Sequence, residues 1–194
     1  MTITKLGLLR HGQTDWNIDL MLQGTTDIPM NQTGISQVQQ AAKVLAGHSF
    51  DLILTSPLER AVHTAKLVQE ALPDIEIAIE PLLLERSFGV GEGFTYQQWQ
   101  EQYESLEHIP GAEPRKTIEA RAQVLLKTLH ERHAGANILA VSHGALLRFV
   151  LAEVTQGMVP PPGQRLQNAS LHVLRHESDW MLEAWSPEPL GELQ

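Results

Sequence analysis

The sequence predicts an α/β protein, a three-layer sandwich with a mostly parallel central sheet and a small helical cap. Short apolar runs typical of strands buried on both faces alternate with segments in which apolar residues recur at helical spacing. Two of these runs, at 3–9 and 137–142, lead directly into His-Gly, which indicates that their ends lie at one edge of the sheet. A chain of 194 residues is long enough for one such domain with a small insertion.

Composition excludes several classes of function. Hydrophobic residues make up 42% and charged residues 19% of the chain, and no apolar run approaches the roughly 20 residues of a membrane helix. No secretory signal is visible, so a cytoplasmic location is expected. The absence of cysteine excludes disulfides, thiolate zinc sites and cysteine nucleophiles. A net charge of −9 argues against nucleic-acid binding and requires any phosphate site to gather its cations locally.

The first half of the chain alternates strands and helices. Residues 3–9 form a short apolar run, which predicts the first strand. Apolar residues then recur at helical spacing from Thr33, which can cap the start of a helix, and Gly47 can end that helix in a left-handed conformation. A second strand is predicted at 52–55 and an edge strand with one wet face at 75–81.

A strong helix-start signal follows the second predicted strand. Ser56 is placed to act as N-cap, Pro57 suits the first helical position, and Glu59 can close a capping box. Arg60 follows in the first turn of this helix. We therefore expect Ser56 to serve as a cap and the functional role in this segment to belong to Arg60 alone.

The second half of the chain contains the expected cap. The range from about 86 to 134 begins with a segment rich in glycine, glutamine, glutamate and aromatic residues and ends in a helix predicted at 116–134. We interpret this range as an insertion over the sheet. A buried strand at 137–142 and a closing pair of strands follow. We expect residues 1–194 to form a single domain and residues 187–194 to be a flexible tail.

Basic side chains follow three of the predicted strands, at the points where these strands end. Arg10 and His11 follow the first strand, Arg60 follows the second, and His143 follows the strand at 137–142. Because the carboxyl ends of parallel strands meet at one edge of a sheet, these side chains should lie close together. Arginine side chains and the first turn of a helix both favour phosphate oxygens. The sequence therefore predicts an anion site at this edge.

Histidine in such a site can do covalent chemistry. A neutral imidazole can carry a phosphoryl group, so His11 or His143 could serve as the nucleophile. The transfer also needs cations for the equatorial oxygens and a proton donor for the leaving alkoxide. Glu85 follows an apolar run at 82–84 and precedes the glycine-rich start of the cap, which indicates that it lies beside the substrate as the donor.

Four segments, in this order, resemble the histidine phosphatase superfamily in its phosphoglycerate mutase-like branch. They are LLRHGQTDWN, LTSPLERAVHTAKLV, LLLERSFGVGEG and AVSHGALLRFVL, which are distributed over nearly the whole chain. The resemblance implies a phosphoglycerate mutase-like fold without metal or other cofactor. It also implies that His11 is the phosphorylated nucleophile, that Glu85 is the general acid and then the general base, and that Arg10, Arg60 and His143 form the phosphate pocket.

The resemblance implies a wider substrate-binding set as well. The matching positions are Thr14, Asn17, Gln23, Gly24 and Gly144. The partner it implies is a small phosphorylated substrate, and neither the charge nor the apolar pattern favours a nucleic acid or a membrane. Nothing in the sequence decides between a monomer and a homodimer.

Hydrolysis and phosphoryl transfer to a second substrate position are competing predictions. Mutases that resemble phosphoglycerate mutase carry a longer insertion after the acid and two adjacent arginines for the substrate carboxylate. Here the region between Glu85 and His143 is short, and its adjacent basic pair is Arg115 and Lys116. A phosphatase is therefore favoured over a cofactor-dependent mutase. A phosphate-binding protein without turnover and a metal-dependent phosphatase are the remaining alternatives.

Two histidine pairs have spacings that could hold a metal ion. His130 and His133 are three residues apart in a predicted helix, and His172 and His176 are four apart in a predicted strand. Neither pair has an evident third ligand, so no metal site is predicted.

Overall fold

The computed structural model describes residues 3–191 and contains one six-stranded sheet within them. The strands are β1 (Thr4–Arg10), β2 (Leu52–Thr55), β3 (Glu76–Ile79), β4 (Asn137–Ser142), β5 (Ser170–His176) and β6 (Trp180–Pro189). Their order in the sheet is β3-β2-β4-β1-β5-β6. The first four of these run parallel, whereas β5 is antiparallel to β1 and β6 is antiparallel to β5. The predicted α/β class with a mostly parallel sheet is confirmed, and so are the edge strand and the closing strand pair.

Helices cover both faces of this sheet. Within the described residues the α-helices are α1 (Asp15–Ile18), α2 (Gln32–Leu45), α3 (Glu59–Ala71), α4 (Tyr96–Gln102), α5 (Arg115–Arg132) and α6 (Gly144–Thr155). One core cluster joins α5 and α6 to side chains such as Leu6 and Leu8 of β1. A second cluster joins α2 and α3 to Leu9, Leu139 and Val141 on the other face. Because successive strand residues point to opposite faces, neighbouring leucines of β1 supply both cores.

The predicted capping box at Ser56 is wrong. Helix α3 begins at Glu59, and its N-cap position, Leu58, has no side-chain cap. The Ser56 N–H still donates to the Val141 carbonyl of β4 at 3.0 Å, so strand pairing continues through Ser56 and delays the helix. The Glu59 N–H is satisfied instead by the Asp27 carboxylate, at 2.8 Å. The Ser56 hydroxyl oxygen accepts a long hydrogen bond from the Leu58 N–H, at 3.4 Å, and is available for a further contact.

The predicted ends of α2 are also wrong in detail. Asn31 caps the helix, with its side-chain oxygen accepting from the Gly34 N–H at 2.9 Å, and Thr33 already lies inside the first turn. At the other end, Ala46 keeps a right-handed helical conformation, and Gly47 does not adopt the left-handed one. Asparagine is preferred over threonine at the N-cap position, and the extended backbone at Asn31 allows it to take that position.

The range predicted as the cap contains two differently packed parts. The buried face of α5 belongs to the sheet core, with Ile118 and Leu125 among its members. A separate small cluster, comprising Leu22, Phe88, Trp99 and Ile109, lies outside the two sheet cores. We therefore propose that the cap covers about residues 86–114 of a single domain, and that α5 belongs to the sheet layers.

The predicted tail at 187–194 is only partly described. Residues 187–189 belong to β6, and the Leu190 N–H donates to the Ala169 carbonyl at 2.9 Å. Residues 192–194 lie outside the described part of the chain.

Candidate active site

The candidate site is a cavity of about 450 Å³ where β1, β2 and β4 end. Because these strands are neighbours in the sheet, the loops that follow them meet at one edge. Eight of the ten residues selected from the sequence line the cavity: Arg10, His11, Asn17, Gln23, Gly24, Arg60, Glu85 and Gly144. Thr14 and His143 do not line it, and both are fully buried.

The hydrogen bond of His11 determines which ring nitrogen carries the proton. Nδ1 of His11 lies 2.7 Å from the Gly12 carbonyl oxygen. A carbonyl only accepts, so Nδ1 is the protonated nitrogen and the neutral ring keeps its free lone pair on Nε2. Burial, followed by the positive charges of Arg60 and Arg10, holds the pKa of His11 well below its usual range. The imidazole is therefore neutral at physiological pH, and the lone pair of Nε2 could attack an electrophile.

Arg60 is held in place by neutral acceptors. Nη1 donates to the Thr26 carbonyl and Nη2 to the Gly24 carbonyl, both at 2.8 Å, and Nε donates to Nδ1 of His143 at 3.2 Å. No carboxylate of the described residues lies within ion-pair distance of this guanidinium group. The site thus fixes the direction of Arg60 while leaving its charge for an anion.

His143 acts behind Arg60, at the end of β4. Because its Nδ1 accepts from Arg60, its proton is on Nε2, which lies 2.7 Å from the Ser56 hydroxyl oxygen. Burial and the charge of Arg60 lower the pKa of His143 well below the ordinary value, so this neutral tautomer persists. The ring lies 5.1 Å from that of His11, between centroids. Ser56, which we expected to be only a cap, therefore orients His143 and through it Arg60.

Arg10 provides a second, half-buried cation of the cavity. Its Nη1 donates to the Leu166 carbonyl, and its Nε is buried without a partner among the described residues. Burial lowers the pKa of Arg10 to about 10; the carboxylate of Glu85 opposes this effect, and the charges of Arg60, Arg165 and Arg148 add to it. An anion in the cavity would relieve this repulsion.

Glu85 receives the backbone donors that we expected to face a phosphate. Its Oε1 accepts from the N–H groups of Arg86 at 2.8 Å and Leu146 at 3.0 Å, and its Oε2 accepts from the Ala145 N–H at 3.1 Å. The first turn of α6 therefore holds this carboxylate instead of a ligand. Since Glu85 also lines the cavity, its carboxyl group is held in a fixed position beside any bound ligand.

Amide side chains complete the wall next to His11. Oδ1 of Asn17 accepts from the Thr14 N–H at 3.0 Å and from Nδ2 of Asn168 at 3.0 Å, which leaves the NH₂ group of Asn17 for a ligand. Thr14 itself caps the short helix α1, so its role is to place Asn17. Gln23 lines the cavity with a buried side-chain oxygen that has no partner among the described residues.

A carboxylate outside the cavity fixes the loop that holds Arg60. Glu92 accepts from the N–H groups of Thr25 at 3.0 Å and Thr26 at 2.9 Å. Gly24 has a left-handed φ of 55°, and a Cβ there would lie 2.0 Å from Oε1 of Glu92. Only glycine fits this position, which explains Gly24 without any contact to substrate.

Several polar residues that line the cavity were not selected from the sequence, and four of them matter for the charge and shape of the site. They are Arg86, Arg148, Arg165 and Asn168. Arg148 lies four residues after Gly144 in α6, on the same helix face, so helical spacing could have found it. Arg165 and Asn168 precede β5, and their place depends on β5 running antiparallel to β1. That direction puts the start of β5 beside the end of β1.

The two histidine pairs do not form metal centres in the described residues. No group of three or more histidine, cysteine, aspartate or glutamate side chains is close enough there to hold a metal ion. His130 stacks instead on His176, with 3.7 Å between the ring centroids. None of the helices between residues 3 and 191 combines the length and the apolar character that crossing a membrane requires.

Comparisons with known proteins agree over almost the whole chain. The model of the histidine phosphatase superfamily (branch 1) matches residues 6–186. The chain is 31% identical to the uncharacterized phosphatase PhoE of Bacillus subtilis, covering 95% of both proteins. It is also 31% identical to the probable phosphoglycerate mutase GpmB of Yersinia enterocolitica, over 95% of this chain and 91% of that protein. The solved mycobacterial glucosyl-3-phosphoglycerate phosphatase superposes with a TM-score of 0.81 at 26% identity, over 94% of this chain and 98% of that one.

Proposed function

Because the chain belongs to the histidine phosphatase superfamily (branch 1), we propose that it hydrolyses a small phosphorylated metabolite through a phosphohistidine on His11. The observation that carries the proposal is the tautomer of His11. Its Nδ1–H is held by the Gly12 carbonyl, so the lone pair of Nε2 is free in a ring that lines the cavity. Arg10 and Arg60 line the same cavity without ion-pair partners among residues 3–191.

The first step transfers the phosphoryl group to the enzyme. Nε2 of His11 attacks phosphorus, the new N–P bond forms, and the ester P–O bond breaks. Arg10 and Arg60 neutralise the equatorial oxygens as charge moves onto them. The leaving alkoxide takes the proton of Glu85, which enters this step as the acid and leaves it as a carboxylate.

The second step returns the enzyme to its starting state. Glu85, now ionised and held by the first turn of α6, removes a proton from water. The water oxygen attacks phosphorus, the N–P bond breaks, and inorganic phosphate leaves neutral His11 behind. In this scheme His143 is a positioning residue, because its Nδ1 directs Arg60 and its Nε2 is occupied by Ser56.

Hydrolysis is favoured over mutase-type transfer by the position of the adjacent basic pair. Arg115 and Lys116 are both exposed and lie outside the cavity, and Arg115 forms an ion pair with Glu119 at 2.7 Å. The pair is therefore not placed to hold a substrate carboxylate.

The experiment that tests the proposal is release of p-nitrophenol from p-nitrophenyl phosphate in the presence of EDTA, by the wild type and by H11A. We expect turnover by the wild type, loss of turnover in H11A, and a phosphorylated wild-type protein in native mass spectra after rapid mixing. His48→Ala is the matched control, because His48 is exposed and outside the cavity.

Other outcomes would indicate other functions. Activity that survives in H11A would contradict the mechanism, and activity abolished by EDTA would indicate a metal-dependent phosphatase. Isomerisation of 3-phosphoglycerate, dependent on a bisphosphate activator and without net phosphate release, would indicate the mutase. Phosphate binding without either reaction would indicate a protein that only binds its ligand.

A further inference from the structure

The arginines of the described chain fall into two groups. Four lie outside the cavity, and each has a carboxylate within ion-pair distance: Arg115, Arg121, Arg132 and Arg175. Five line the cavity, and none of them has such a partner among residues 3–191: Arg10, Arg60, Arg86, Arg148 and Arg165. The cavity therefore holds five unpaired cations and one lining carboxylate, Glu85, in a protein whose net charge is −9.

A phosphate monoester alone does not account for this number of cations. A monoester carries at most two negative charges, and Arg10 and Arg60, which flank His11 in the proposed mechanism, suffice to balance them. Like charges without counter-ions in one cavity repel each other, and a bound anionic ligand offsets that repulsion.

Arg148 and Arg165 form a separate pair on the Arg10 side of the cavity. Arg148 is half-buried on α6 and donates from Nη2 to the Gln164 carbonyl, one residue before Arg165. Both contribute positive charge at Arg10, which places them within electrostatic reach of the phosphoryl site. Their contacts with neutral groups position them without removing their charge.

The ring of Tyr96 supports Arg165. The Arg165 guanidinium carbon lies 5.3 Å from the centroid of the Tyr96 ring, and both side chains are exposed at the opening of the cavity. A guanidinium group stacked on an aromatic face keeps its edge free for a planar or tetrahedral anion. Tyr96 is the first residue of helix α4 in the cap, so the cap meets the loop before β5 at this contact.

We propose that Arg148 and Arg165 bind a second anionic group, a carboxylate or a phosphate, on the substrate. The preferred substrates are then small phosphate monoesters that carry a further negative charge beyond the reacting phosphoryl group. This inference rests on the proposed function, because the phosphoryl group occupies Arg10 and Arg60. It adds the determinant of specificity, which lies on α6 and in the loop before β5, and not in the adjacent basic pair at the start of α5.

The test uses matched compounds that differ only in the second charge. Alkyl phosphates with two to five methylene groups serve as the neutral series, and ω-carboxyalkyl phosphates and alkanediol bisphosphates of the same lengths carry the second anion. Phosphate release gives kcat/KM for the wild type, R148Q, R165Q and R175Q. Arg175 is a matched control because it is outside the cavity and paired with Glu177.

We expect the wild type to prefer one charged series over the neutral series at its best length. That preference should fall about tenfold in R165Q and in R148Q, as expected for loss of a charged hydrogen bond, and should persist in R175Q. A preference for the carboxyalkyl series identifies a carboxylate site, and a preference for bisphosphates identifies a second phosphate site.

Two outcomes would overturn the inference, and they differ from failure of the proposed function. Hydrolysis without any charge preference, or a preference that persists in both R148Q and R165Q, leaves a phosphatase without this subsite. If no compound is hydrolysed, the proposed function fails, and calorimetric titration of the same compounds decides the inference. Equal affinity for charged and neutral compounds, or equal affinity of wild type and R165Q, then overturns it.

Discussion

Arg60 and Arg165 line the same cavity but are held in different ways. Arg60 is 1% exposed and uses three nitrogen atoms on Thr26, Gly24 and His143. Arg165 is exposed and rests on the ring of Tyr96. The first arrangement fixes a cation before substrate arrives, as transition-state stabilisation requires. The second arrangement leaves the guanidinium group of Arg165 free to change its orientation, as recognition of variable substrates requires.

The local polar contacts of each arginine therefore decide whether it serves the chemical step or the selection of substrate. Inside the buried part, the orienting partners are neutral carbonyls and an imidazole, so each charge remains available. Changes there should reduce turnover of every substrate. Changes at the exposed part should alter the choice among substrates.

Replacing Glu85 with glutamine tests the buried part most severely. The amide side chain of E85Q would keep an acceptor for the first turn of α6 but could neither donate a carboxyl proton nor remove one from water. We expect kcat for alkyl phosphates to fall by about 10²–10⁴, and by less for p-nitrophenyl phosphate, whose leaving group needs little protonation. Steady-state kinetics with both substrate classes measure this. Equal losses on the two classes would argue against Glu85 as the acid; Glu119→Gln, outside the cavity, is the control.

Replacing Arg60 with glutamine removes a fixed cation. The developing charge on the phosphoryl oxygens loses one of two arginine partners, so kcat/KM should fall by about 10²–10³ for charged and neutral substrates alike. Arg132→Gln provides the comparison, because Arg132 lies outside the cavity and pairs with Glu80 at 3.6 Å. Circular dichroism establishes that both variants are folded. A loss of less than tenfold in R60Q would show that Arg60 is not part of the chemical apparatus.

A buried histidine outside the cavity makes the stability of the fold depend on pH. Burial lowers the pKa of His172 in β5 to about 4, whereas the unfolded value is about 6.5. The unfolded chain binds the proton first, so the stabilisation is complete above about pH 6.5 and is lost progressively as pH falls towards 4. The His172 contribution to this loss is about 3 kcal/mol at most.

Urea unfolding between pH 7 and pH 4 measures this effect. The free energy of unfolding should decrease less steeply with acidification in H172Q than in the wild type. His48→Gln, at an exposed position, should keep the wild-type slope. If the free energy of unfolding depended on pH equally in all three proteins, the contribution assigned to His172 would be contradicted.

The smallest effect is expected at Ser56. In S56A the Nε2–H of His143 loses its acceptor, and moving the proton to Nδ1 would oppose the N–H of Arg60. We expect kcat to fall about tenfold, corresponding to one buried unsatisfied donor, with Ser56→Thr restoring most of it. Ser36→Ala, on the exposed side of α2, should change nothing. A variant that loses thermal stability but keeps kcat would show that Ser56 is only structural.

Part of the site was predictable because the carboxyl ends of parallel strands meet at one edge of a sheet. Periodicity located β1 and β4, and parallel strands bring their carboxyl ends together, so Arg10, His11 and His143 could be expected to be neighbours. Arg60 followed from the same rule applied to β2. None of this needed knowledge of side-chain packing.

Helix caps were less predictable, because several residues compete for each role. Ser56 has the right type and position for an N-cap, yet His143, which is 87 residues away, takes its hydroxyl. Asp27 then satisfies the Glu59 N–H that Ser56 does not reach. Contacts between residues so distant in sequence depend on the complete fold.

The α/β class, the order of the elements and the buried histidine-arginine site follow from the amino-acid sequence, because hydrophobic period and strand direction are local properties with few topological solutions. The contacts of the first turn of α6 with Glu85, the orientation of Arg60 by His143, and the presence of Arg148 and Arg165 in the same cavity depend on the folded chain. Those arrangements depend on which donor meets which acceptor when distant segments pack, and no single segment encodes that choice.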